Sequence, residues 1–96
     1  MTANDTTMTT TPLQRAAELL AQMTLDEKVM QLSAIMPIGL VGEDGPIEPM
    51  LVGQLGEGIG HISAFGMMGY KTPAKTASSV NAIQRFLVER TRLGIP

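Results

Sequence analysis

What most constrains this chain is the order of its last two regular segments, a short strand and a long helix that stops. Gly58-Ile59-Gly60-His61-Ile62-Ser63-Ala64-Phe65 is largely apolar on both alternating sets and is bounded by glycine. That is the pattern of a strand covered on both faces, and its glycines argue against a helix. After the loop Gly66 to Lys71, Thr72-Pro73 opens a helix with a hydroxyl cap and a proline whose missing N–H costs nothing in the first turn. Ala77, Val80, Ile83 and Leu87 form its apolar stripe, with Thr76, Phe86 and Arg90 at the edges. The helix is expected to reach about Leu93, where Gly94 offers a left-handed stop and Pro96 follows. Strand, loop, helix and stop are the first two thirds of a βαβ unit. Its helix can bury a stripe only against a sheet that includes the next parallel strand. Because an apolar segment is just beginning at Gly94-Ile95-Pro96, the sequence reads as truncated, and Gly58 to Phe65 is expected to find no strand partner.

Two helices are expected upstream. Thr11-Pro12 repeats the cap-plus-proline opening, and Leu13, Ala16, Ala17, Leu20 and Met23 share one stripe of a helix running to about Met23, a stripe that should pack on something. Thr24-Leu25-Asp26-Glu27 fits a capping box, in which hydroxyl and carboxylate each satisfy the other residue's backbone N–H. Val29, Leu32 and Met36 continue an apolar face until Pro37 ends the second helix. Ile38 to Gly53, rich in Gly, Pro and acid and with Glu43-Asp44-Gly45-Pro46 as a turn, reads as a surface loop.

Composition narrows the function. A hydrophobic content of 44% against 17% charged permits a globular core, but with 3% aromatic residues that core must be thin and aliphatic, filled in part by eight Met. A net charge of −2 and a pI near 5.2 offer no electrostatic footprint for nucleic acid or an anionic membrane. With no Cys there is no disulfide framework, thiolate metal site or Cys nucleophile. Residues 1–11 are polar and Thr-rich, lack the apolar run of a secretory signal, and read as a disordered leader before one domain over 12–96. No stretch approaches the roughly 20 apolar residues that span a bilayer. A soluble protein is expected, with the cytoplasm as a compatible location.

Three blocks resemble the N-terminal region of family 3 glycoside hydrolases of the bacterial β-glucosidase and β-xylosidase type. They are Glu18-Leu19-Leu20-Ala21-Gln22-Met23-Thr24-Leu25-Asp26-Glu27-Lys28-Val29-Met30-Gln31-Leu32, then Gly58-Ile59-Gly60-His61-Ile62-Ser63, and Asn81-Ala82-Ile83-Gln84-Arg85-Phe86-Leu87-Val88-Glu89-Arg90-Thr91-Arg92-Leu93-Gly94-Ile95-Pro96. The resemblance covers roughly residues 13 to 96. It departs at Met30, where relatives often carry Gly, and in the loop holding Met67-Met68. It implies an α/β fold, the N-terminal fragment of a (β/α)₈ TIM-type barrel: two leading helices against the barrel exterior, then one early strand and one long helix. It also implies a parent hydrolase that releases terminal β-linked glucose or xylose from an oligosaccharide or β-glycoside, retains configuration and uses no metal or organic cofactor. The family's nucleophilic Asp and acid/base Glu lie beyond Pro96, so no catalytic, cofactor-binding or metal-binding residue maps onto this chain.

The residues present agree with an empty site. Retaining glycosidases need two carboxyls about 5 Å apart. Here Asp26 and Glu27 suit a helix N-terminus, Glu43, Asp44 and Glu48 flank turns, and Glu57 precedes the strand. His61, the one His, is the single tempting general base, but on a buried strand it reads as a hydrogen-bonded core residue. Gly56-Glu57-Gly58-Ile59-Gly60 lacks the third glycine of a dinucleotide loop and precedes a strand instead of joining strand to helix. Arg85, Arg90 and Arg92 suit the negative end of the last helix. The partner of the chain, on this reading, is the remainder of its own barrel. The alternative is a small helical interaction module using the stripes of the first and last helices.

Overall fold

The computed structural model describes residues 10–65 and 72–96, so most of the expected leader and the loop Gly66 to Lys71 lie outside the described residues. Among the described residues four helices and four two-residue strands follow one another as α1 (Pro12–Gln22), α2 (Leu25–Gln31), β1 (Ala34–Ile35), β2 (Val41–Gly42), β3 (Gly45–Pro46), α3 (Glu48–Leu55), β4 (His61–Ile62) and α4 (Pro73–Arg90). This is a mixed helix and strand architecture compatible with an α/β class.

The three caps read from sequence form as expected. The hydroxyls of Thr11, Thr24 and Thr72 accept from the backbone N–H groups of Gln14, Glu27 and Lys75, each at 3.1 Å. At Thr24 the box is reciprocal, its N–H donating to Glu27 Oε1 at 2.9 Å. Gln14 closes a second box at Thr11 that composition did not suggest, because Gln reaches back as Glu does.

The second helix is shorter than its apolar pattern predicts. Ser33 turns its hydroxyl onto the Val29 carbonyl at 2.8 Å and its N–H onto that of Met30 at 3.0 Å, so the last turn closes there. Ala34–Ile35 then becomes a strand that pairs in parallel with His61–Ile62. The ladder is extended by the Ser63 N–H on the Ile35 carbonyl at 3.1 Å and the Gly60 N–H on the Met30 carbonyl at 2.9 Å. The expectation that Gly58 to Phe65 lacks a strand partner is therefore corrected, and only its central His61–Ile62 is regular strand.

The surface loop expected over Ile38 to Gly53 is also corrected. Val41–Gly42 and Gly45–Pro46 form an antiparallel hairpin, so of the turn expected over Glu43-Asp44-Gly45-Pro46 only Glu43-Asp44 is turn and Gly45–Pro46 is strand. Glu48–Leu55 is a helix that buries Leu51 and Leu55. Pro49 in its first turn is compatible with helix geometry, and Leu51 and Leu55, four apart, share one face. The segment looked like loop because Pro49 and Gly53 break the composition while its buried face is only two residues wide.

Leu40, Leu51, Leu55, Ile59, Ile83, Phe86 and Leu87 make the core, with Met30, Ile35, Val41, Ile62 and Phe65 packed against it. On α4 the buried face is Ser79, Ile83, Phe86 and Leu87, rotated toward Phe86 from the predicted stripe, with Ala77 exposed and Val80 half-buried. The ring of Phe86 faces the hairpin and α3 side of the molecule, where burying it outweighs burying an alanine. The helix ends at Arg90, short of Leu93, while Gly94 does adopt the left-handed conformation at φ +64°. Helix α1 buries none of its residues: Leu13 is 81% exposed and Leu20 54%, so the packing expected of its stripe is not made among the described residues.

Candidate functional site

His61 lies on β4, and its alternation on a two-residue strand decides its environment. Ile62 turns toward the core, and His61 is exposed. The expectation of a buried, hydrogen-bonded core histidine is thus corrected. His61 borders a groove of about 230 Å³ between β4 and α4, lined by Ile59, Ile62, Phe65, Val80, Ile83 and Gln84 among others. None of the lining residues is acidic, so the groove holds neither half of a carboxyl pair.

The acids are engaged elsewhere. Glu48 opens α3 and forms an ion pair with Arg90, whose guanidinium also lies 5.8 Å from the centre of the Phe86 ring. Glu43 and Asp44 sit on the hairpin turn. Among the described residues no three His, Asp or Glu side chains gather as a metal site. No helix among them is long and apolar enough to cross a membrane.

The most organised polar cluster is one the sequence did not reveal. Glu27, only 6% exposed, receives both arms of Arg92: Nη2 to Oε1 at 2.5 Å and Nε to Oε2 at 3.1 Å. The same Nη2 donates to the Gln22 carbonyl at 2.6 Å. This fork geometry is the strong form of an arginine–carboxylate contact. The Arg92 hydrogen bonds, helped by the Thr24 N–H, hold the Glu27 carboxyl down to about 2, against the opposing effect of its burial. Arg92 is raised in turn, first by Glu27 and to a lesser degree by the charge of Glu57.

Arg90 and Arg92 are thus occupied by specific carboxylates, and the dipole of α4 is not the sufficient account it seemed. Glu27 was legible as half of a capping box. Its second partner lies 65 residues away, a distance at which sequence carries no local pattern. What the cluster can do is hold elements together: a carboxylate kept ionised by three donors has no proton to give.

No protein-family model matches this chain, and a search of curated proteins returns no match.

Proposed function

We propose that this chain builds the opening portion of the catalytic barrel of a family 3 glycoside hydrolase. The complete barrel would hydrolyse terminal β-linked glucose or xylose units with retention of configuration, and residues 10–96 would supply scaffold in place of chemistry. The observation that supports this reading is the order β1, the hairpin β2–β3, α3, β4, α4, with β1 and β4 parallel. A parallel pair joined through a helix and followed by a second helix is the repeating unit from which such barrels are made. The three sequence blocks of the family fall on α1–α2, on β4 and on α4 with its exit.

In this role the chain's own residues position and do not react. Retention needs a nucleophile and an acid/base about 5 Å apart, and here Glu27 serves a cap and Arg92, Glu48 pairs with Arg90, and Glu43 and Asp44 sit on a hairpin turn. The core residues Ile59, Ile83 and Leu87 fix α4 against β4, leaving the groove beside β4 as the place where a following strand would continue the sheet.

The test is to extend the protein along its reading frame past Pro96 and assay both forms on aryl β-glucosides and aryl β-xylosides. The expected result is further strand–helix units, hydrolysis by the extended protein and none above buffer by residues 1–96. An extended protein of that architecture that hydrolyses neither substrate would overturn the reading. A second reading, an interaction module, is favoured by the exposure of Leu13 (81%), Leu25 (76%) and Leu32 (91%) on α1, α2 and its end. A stop codon directly after Pro96 together with a stable monomeric fold would select it.

A further inference from the structure

We infer that α1 and the elbow leading into α2 form an arm that Arg92 latches to the body, and that the arm opens as a unit when this latch is lost. The inference does not depend on the glycosidase reading. Helix α1 buries no residue, and the core begins, in chain order, at Met30. Among the described residues the turn and cap bonds Arg15 to Thr11, Met23 to Leu20 and Lys28 to Thr24 remain within the arm, which continues into the body through the helical turns of α2. The guanidinium of Arg92 crosses from the rest of the molecule to the arm, on Glu27 and on the Gln22 carbonyl, and Met23 of the arm lines the seam beside it.

The position suits a cation for two independent reasons. Gln22 is the last residue of α1, where carbonyls lack intrahelical partners and the helix end is negative. Glu27 stands in the first turn of α2, directly across the elbow, already oriented by its bond to the Thr24 N–H. Arg92 therefore joins the end of one helix to the start of the next and ties both to a residue just past α4. The closed seam is tight: Met23, Gln31, Gly58, Leu93 and Ile95 leave a crevice of only about 10 Å³. Opening the arm frees Leu93 to Ile95 from the same seam, so one contact sets both the seat of α1 and the direction in which the chain leaves α4.

Residue-resolved amide hydrogen exchange on the 96-residue chain tests this. In wild type the amides of α1 are expected to exchange well ahead of those of Ile83–Leu87, because an arm opens below the global unfolding reaction, and in Arg92→Gln roughly tenfold or more faster still. Glu27→Gln keeps an acceptor for the Thr24 N–H and so preserves the cap. It should accelerate α1 as Arg92→Gln does, and the double variant should add nothing further. Three outcomes overturn the inference: unchanged α1 exchange in Arg92→Gln, wild-type α1 amides as slow as those of Ile83–Leu87, or wild-type α1 amides that already exchange as in an unstructured peptide.

Discussion

Gly60 shows how one atom decides a local path. A Cβ built there would lie 1.9 Å from the Gln31 carbonyl oxygen and 3.2 Å from that of Ser33, both backbone and unable to yield without moving the end of α2. The close approach is what lets the Gly60 N–H reach the Met30 carbonyl and start the parallel ladder. Gly53, by contrast, sits in α3 with nothing within 4 Å of a built Cβ. We expect Gly60→Ala to cost about 3 kcal/mol, at the upper end of overpacking penalties, and Gly53→Ala to stabilise by about 0.5–1 kcal/mol through helix propensity. Urea unfolding of the two variants checks both signs. The glycine cluster at 56–60 that resembles a phosphate loop is explained at Gly60 by this backbone contact, without a ligand.

At the scale of elements, hydroxyl caps of the same length have unequal consequences. Thr11 and Thr72 each accept an N3 backbone N–H at 3.1 Å. Yet α4 carries Ile83, Phe86 and Leu87 into the core and α1 carries nothing. Losing a cap costs about 1 kcal/mol of helix stability, and that cost reaches global stability only where unfolding the helix unfolds the core. Thr72→Ala should therefore lower the stability of the whole molecule by about 1 kcal/mol, whereas Thr11→Ala should fray α1 and leave the unfolding midpoint unmoved. Equal midpoint shifts in the two variants would show that α1 is part of the cooperative unit. The same asymmetry explains which stripes were misread: periodicity reports that a helix has an apolar face, and it is silent on whether anything is available to cover that face.

For the molecule as a whole, the Glu27–Arg92 clasp predicts a definite pH dependence. The Glu27 carboxyl titrates near 4.5 when unperturbed and near 2 when gripped by Arg92. A carboxyl depressed on folding contributes stability that is fully present above its unfolded value and is lost as pH falls toward its folded value. The difference in α1 amide protection between wild type and Arg92→Gln should thus be constant from about pH 7 to about pH 5 and shrink between about 4.5 and 2. A difference that grows on acidification would contradict the assignment. Arg92 is charged throughout this window, so Glu27 alone sets its edges.

Much of the outline was legible in the residues themselves. The starts of α1, α2 and α4 followed from Thr11, Thr24 and Thr72, because a cap is a bond between residues three apart and its chemistry is local. The left-handed Gly94 and the Glu43-Asp44 turn were readable for the same reason. Sequence also identified an aliphatic core, since there was little else to build one from. Tertiary structure decided what depends on distant partners: that Ala34–Ile35 leaves its helix to pair with His61–Ile62, that Leu51 and Leu55 make a helix of an apparent loop, that Phe86 displaces Ala77 from the buried face, that His61 points outward, and that Arg92 answers Glu27 across 65 residues. Each of these outcomes is set by which surface happens to be within reach after the chain has turned back on itself, and no pattern confined to a few neighbouring residues carries that information.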